Sequence, residues 1–174
     1  MKHLPLSVAT AAAATALSAS PALADNLDIT VEIPRLQSAE YHSPYVAVWI
    51  EQPDQTAVAT IAVWYDVDLR NNEGLTWLTE MRTWWRKIGR TMTLPADGVS
   101  GATRAPGRHT IRLAETSAAL RQLPAGQYNV VVEAARELGG REVVRVPIQW
   151  NGRTATTTGQ GATELGAISV AITR

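Results

Sequence analysis

Short β-forming runs separated by turn residues recur from one end of this chain to the other, and that rhythm narrows the fold more than any other feature. Leu27, Ile29, Val31 and Ile33 alternate with Asp28, Thr30 and Glu32. A period of two predicts a strand with one buried face, and Pro34 ends it. Tyr45–Glu51 and residues 58–65 are two further runs, joined by Pro53-Asp54-Gln55, and read as an antiparallel hairpin. Residues 109–114 form another run. Leu123-Pro124-Ala125-Gly126 turns into residues 128–134, and Gly139-Gly140 joins that run to residues 142–150. Asn151-Gly152 opens a Thr- and Gly-rich loop before a last strand at 165–172.

One segment breaks the rhythm. After Asn71-Asn72-Glu73-Gly74, residues 75–89 place Leu75, Leu78, Trp85 and Ile88 at helical spacing, and Trp77, Met81 and Trp84 likewise. Arg86 and Lys87 favour the C-terminal end of a helix dipole, and Gly89 suits a C-cap. The expectation is an inserted amphipathic helix packed on the edge or end of the sheets. About eight short strands with turns between them point to an all-β, immunoglobulin-like sandwich, with an up-and-down barrel as the alternative.

The chain has 174 residues. Lys2 and His3, the apolar stretch 4–17 and Ala22-Leu23-Ala24 follow the order of a secretory signal, so residues 1–24 are expected to be removed on export to the periplasm. Residues 25–174 then form a single domain. There is no cysteine, which excludes disulfides, thiol catalysis and cysteine-held clusters. Basic and acidic side chains balance at 16 each, with no basic stripe of the kind nucleic acid requires. His42 and His109 lie far apart in the sequence and make no metal motif. No Ser/His/Asp spacing or carboxylate pair supports a hydrolase.

Residues 90–107 form a long Gly-, Pro-, Ala- and Thr-rich loop, and a loop of that length inside a compact domain is more often functional than idle. It contains Asp97-Gly98-Val99-Ser100-Gly101-Ala102-Thr103. This run resembles the acceptor motif Asp-x-x-Ser/Thr-Gly-Ala-Thr that bacterial flavin transferases recognise in FMN-bearing domains. The resemblance implies that Thr103 is the acceptor: its hydroxyl oxygen attacks the pyrophosphate of FAD, AMP leaves, and FMN remains joined to the chain through its phosphate. A threonine hydroxyl is a weak nucleophile, so the transferase must bring base and metal. Gly101 and Ala102 keep the loop slim, and Asp97 and Ser100 can bond nearby backbone.

A second resemblance spans most of the mature chain. Tyr45–Glu51 and residues 76–86, 100–110 and 123–142 are similar to a family of predicted periplasmic proteins classed as a domain of unknown function. Its members are often encoded beside PepSY-type membrane proteins and flavin transferases. The run 123–128 and the strand after it also resemble the immunoglobulin-like domain of flagellar hook-cap proteins. The departure is at residues 113–122, where a more polar Trp-Asp-Gly-type turn is usual.

What these resemblances imply is an extracytosolic electron carrier with covalent FMN at Thr103, a redox module more than a stand-alone enzyme. Its partners would be a flavin transferase and a PepSY-type membrane redox protein. Trp77, Trp84 and Trp85 precede the acceptor loop, and Trp84 and Trp85 in particular are candidates to cover a flavin ring. Arg104 and Arg108 flank the attachment point and could pair with phosphate or with reduced flavin. The charges at Glu133, Arg136, Glu137, Arg141 and Glu142 read as a solvated hairpin. The competing reading is a non-redox binding or assembly module, a common use of such sandwiches.

Overall fold

A computed structural model describes residues 26–37 and 40–174. The expected signal segment, 1–24, lies outside the described residues. Among the described residues nine strands form two sheets: β1 (Asn26–Ile33), β2 (Tyr45–Glu51), β3 (Ala57–Tyr65), β4 (Ser100–Ala102), β5 (Gly107–Leu113), β6 (Gly126–Ala135), β7 (Arg141–Trp150), β8 (Ala155–Gln160) and β9 (Ala167–Thr173). One sheet has the order β5-β1-β9-β8 and the other β4-β3-β2-β6-β7. The described residues form an all-β sandwich with one short α-helix.

The alternation in β1 does what its period requires. Leu27, Ile29, Val31 and Ile33 are buried between the sheets, against Val46, Val48, Ile50, Val130 and Val132 of the facing sheet. Tyr128 sits at the start of β6, and its hydroxyl donates to the Pro124 carbonyl at 3.0 Å, tying the Leu123–Gly126 turn to the strand as a tyrosine corner does. Pro147, which has no N–H to give, lies in β7 at the edge of its sheet.

Strands β2, β3 and β6 end in continuous buried runs instead of alternating, because both faces of the five-stranded sheet are covered. The second cover is the helical segment, which lies on the outer face of the sheet and not at its edge or end as the sequence suggested. Leu78, Met81 and Trp84 pack there against Ala47, Trp49, Val63, Tyr65, Val131 and Ala135. Nor is it one helix. A 3₁₀ segment, Arg70–Glu80, contains Asn71 and Asn72 in left-handed conformation and ends at Met81, whose ψ of 68° breaks the helix. Helix α1 is only Arg82–Lys87, and Gly89–Thr91 is a further 3₁₀ turn. The three most buried side chains of the cover are spaced by three, the period of the tighter helix.

Two carboxylates, fully buried on that outer face, fasten the cover. Glu133 accepts the backbone N–H groups of Thr83 (3.0 Å) and Trp84 (2.7 Å), capping the first turn of α1 from a neighbouring strand, and pairs with Arg141 at 2.8 Å. Glu51 pairs with Arg145 at 2.7 Å and Lys87 at 3.4 Å and accepts the Trp49 indole N–H. The hairpin charges are therefore partly internal, and the solvated reading fails at Glu133. Gly89 is likewise no left-handed cap: a Cβ there would lie 2.6 Å from the Trp84 ring, so glycine admits the indole.

Two strands escaped the sequence reading. β8, within the Thr-rich stretch, is an edge strand paired to β9; its polar residues carry no apolar alternation to mark it. β4 lies inside the long loop and pairs in parallel with β3, Val63 opposite Ser100 and Tyr65 opposite Ala102.

Candidate functional site

The run 97–103, which resembles an acceptor motif, is thus a turn followed by an edge strand. Gly98 has φ of +71°, which glycine adopts without strain. The turn closes through Val99 N–H to the Ala96 carbonyl (3.2 Å) and Ser100 N–H to the same oxygen (2.9 Å), while the Ser100 hydroxyl accepts Ala96 N–H at 3.0 Å. Ser100 therefore shapes the turn, as its residue type allowed, and Asp97 stands exposed at its tip. Val63 N–H donates to the Val99 carbonyl and Thr103 N–H to the Tyr65 carbonyl (3.1 Å), which lengthens the parallel pairing on both sides of β4. Gly101 passes close to Trp64, where a Cβ would meet the indole at 3.5 Å.

Pairing fixes the backbone of Thr103 and leaves its side chain at the sheet's margin. Thr103 is half-buried, and its hydroxyl has no hydrogen-bond partner among the described residues. It lines a cleft of about 680 Å³, inside the range of roughly 300–1,000 Å³ usual for small-molecule sites. The walls come from four places in the chain: Tyr41, His42 and Tyr45 before and at the start of β2; Asp66 and Leu69 after β3; Trp77, Glu80 and Arg82 from the helical cover; and residues 135–141 from the β6–β7 hairpin. Trp77 is 51 % exposed and Leu138, at the hairpin tip, 80 %.

Most of the charged side chains in this wall have partners. Arg136 forms a fork with Glu164, Nε to Oε2 at 2.8 Å and Nη2 to Oε1 at 3.2 Å, and Glu164 also accepts Gly140 N–H at 2.7 Å. Hydrogen bonding to Glu164 holds the guanidinium still more firmly protonated than usual. Arg82 lies 3.5 Å from Glu80, Arg141 2.8 Å from Glu133, and His42 between Glu40 and Glu137. Burial raises the pKa of the Tyr41 phenol, which Arg136 partly offsets, and burial raises that of Tyr45 against a hydrogen bond from the Asp66 backbone.

The predicted site residues are not all brought together. Gly101, Ser100, Arg104 and Arg108 line a second, open groove with Trp64 and His109, apart from the Thr103 cleft. Arg104 lies over the Trp64 ring at 5.3 Å, and His109 meets the same indole edge-on with its Nε2 2.8 Å from the Ala105 carbonyl. Ala102 is exposed between the two. Trp84 is not available to a ligand: it is fully buried and its indole N–H donates to the Thr60 hydroxyl at 3.0 Å. Trp85 is half-buried against the same outer core, 6.2 Å from Trp84, and does not line the Thr103 cleft.

Of the three tryptophans before the loop, Trp77 is the one in the cleft. A straight helix would have put it on the face of Met81 and Trp84, and the break at Met81 removes that relation. The hairpin tip and the Tyr41–Tyr45 segment were missed as well. The run Tyr-His-Ser-Pro-Tyr, aromatic and polar between two strands, was the available signal.

Among the described residues no cluster of His, Asp or Glu could hold a metal ion, and no helix is long and apolar enough to cross a membrane. Comparison with curated proteins and with solved structures returns no match. The model of one family, described as "Predicted periplasmic protein (DUF2271)", matches residues 26–167, which takes in every strand through β8 and the whole cleft. The chain belongs to that family of predicted periplasmic proteins.

Proposed function

We propose that this protein is an extracytosolic electron carrier bearing FMN joined through its phosphate to the Thr103 hydroxyl, exported to the periplasm by the segment 1–24. The observation that carries the reading is the acceptor run 97–103, whose last hydroxyl lies at a sheet margin beside a cleft of ligand size. A side chain sealed between the sheets could not enter a transferase; Thr103 is half-buried and outside the inter-sheet core.

The residues present suit the group. A flavin ring is flat and conjugated, and the cleft offers the exposed Trp77 indole, two tyrosines and Leu138. Bound there, FMN would supply the one- and two-electron chemistry, while the chain anchors it, limits its motion and sets its surroundings. Arg104 and Arg108 face the other groove, so a direct charge effect on the ring falls instead to the cleft residues. The electron donor in this reading is a PepSY-type membrane protein.

The test is co-expression of the full chain with a flavin transferase, followed by denaturation and measurement of flavin fluorescence and mass on the polypeptide. Wild type should carry flavin through denaturation and Thr103→Val should carry none while melting at the same temperature. A wild-type chain that stays unmodified beside a loaded control substrate would refute the reading and leave a non-redox binding module.

A further inference from the structure

We infer that the open groove beside β4 and β5 binds a small oxyanion, the carboxylate or phosphate group of a diffusible ligand, with the Arg104 guanidinium and the Trp64 indole N–H as its donors. The groove has a volume of about 550 Å³ and shares no lining residue with the Thr103 cleft, so the site stands apart from attachment at Thr103.

The first observation is an indole donor with no acceptor in the chain. Trp49 and Trp84 are fully buried, and their N–H groups are met by Glu51 and Thr60. Trp64 is 4 % exposed and lines the groove, and its N–H has no hydrogen-bond partner among the described residues. Nor is that nitrogen among the polar atoms sealed from solvent without a partner, which are His42 Nε2, Ser117 Oγ, Arg136 Nη1 and Thr157 Oγ1. It therefore still meets solvent, and the groove is the open space that Trp64 borders. A buried indole N–H is ordinarily satisfied, and here the acceptor comes from the groove.

The second observation is a space that a glycine leaves between two donors. A Cβ at Gly101 would lie 3.5 Å from Trp64 Cδ1, 4.0 Å from Trp64 Nε1 and 3.7 Å from Arg104 Nη2. All three residues line the groove, so both donors border the volume that a side chain would fill. Arg104 is held in place from both sides. Thr103 N–H donates to the Tyr65 carbonyl before it, and the Ala105 carbonyl accepts from His109 Nε2 at 2.8 Å after it. Its guanidinium lies over the Trp64 ring at 5.3 Å, and stacking on an indole leaves the N–H edge of a guanidinium free for an oxyanion.

The third observation is charge. Arg104 and Arg108 have no carboxylate partner among the described residues, and no Asp or Glu lines the groove. Glu32, opposite Arg108 across the β1–β5 pairing, accepts the Ala167 N–H at 3.2 Å instead. In the Thr103 cleft, by contrast, Arg82, Arg136 and Arg141 each have a carboxylate. Unmatched cations beside a neutral N–H favour an anionic ligand.

The probes are inorganic phosphate and succinate, each titrated at constant ionic strength into the isotope-labelled full chain made without a transferase. The readout is the Trp64 indole N–H resonance in NMR, identified as the one missing from Trp64→Phe. It should move and saturate with at least one probe while the Trp49 and Trp84 resonances stay, and the tighter probe names the anion class. Arg104→Gln should weaken binding about tenfold, the scale of one hydrogen bond to a charged group. Gly101→Ala should abolish the shift, because its methyl fills the space while standing at ordinary contact distance from both neighbours, so the fold holds. Arg112→Gln, an exposed arginine that does not line the groove, should leave the affinity unchanged.

Three results would overturn the inference: no saturable movement with either probe, wild-type affinity in the Arg104 or Gly101 variant, or an equal loss with Arg112→Gln, the mark of diffuse attraction to charge. The chain carries no flavin in this experiment, so failure here leaves attachment at Thr103 untouched, and failed attachment leaves this site untouched.

Discussion

Replacing Glu133 by alanine tests how the helical cover is held to the sheet. The carboxylate is fully buried, caps two amides of α1 and pairs with Arg141. Its removal strands both amides and leaves the Arg141 guanidinium with the Thr83 hydroxyl at 3.2 Å. Losing an N-cap costs about 0.5–2 kcal/mol, and breaking a buried ion pair from one side costs about 3–5 kcal/mol. The second figure is an upper bound here, because the Arg141 side chain is 38 % exposed and can turn to water. The expected loss is about 3 kcal/mol, or roughly 6–12 °C in Tm for a domain of this size.

Glu133→Gln keeps one acceptor and should lose about half as much. Urea and thermal unfolding, followed by tryptophan fluorescence and near-ultraviolet circular dichroism, measure both. A double-mutant cycle with Arg141→Ala isolates the pair. If Glu133→Ala melts within 2 °C of wild type, a scale on which about 1 kcal/mol would register, the carboxylate does not fasten the cover.

Glu142 accepts the backbone N–H groups of Ala162, Thr163, Glu164 and Leu165. Burial alone would raise its pKa, but these four donors outweigh burial and hold it below the ordinary 4.5. Its contribution to stability is complete above that ordinary value and is lost as pH falls through the lowered one. Urea titrations from pH 7 to 3 should therefore show an acid limb that Glu142→Gln flattens, and an unchanged limb would count against the assignment. Gly89→Ala drives a Cβ into the Trp84 ring and should cost about 1–3 kcal/mol. Gly98→Ala, where nothing lies within 4 Å but φ is +71°, should cost about 1 kcal/mol. Gly89→Asn separates the two causes: a left-handed cap would tolerate it, and a packing glycine will not.

Much of the sandwich was legible because its signals are local. Period-two alternation marked β1, turn dipeptides separated β6 from β7, and the run 97–103, on which the proposed attachment rests, was visible as contiguous residues. The helix was misjudged because helical spacing says which residues share a face and nothing about where the helix breaks. Met81 and a carboxylate from β6, fifty positions away, settled that. β4 and β8 were missed because a parallel edge pairing and a polar edge strand leave no apolar period. The arginines beside Thr103 were expected to share its site, and the fold puts them in a different groove.

By itself the sequence determined the all-β class and the bounds of most strands, and it carries the run 97–103 on which the proposed attachment rests, since each follows from neighbours along the chain. Only the tertiary structure decided that the helical cover lies on the outer face of a sheet buried on both sides. It alone brought Tyr41, Trp77 and Arg136 to one cleft beside Thr103 and sent Trp84 into the core. These are relations between segments distant in sequence. They are fixed by packing and by where buried carboxylates find their donors, and no local period records them.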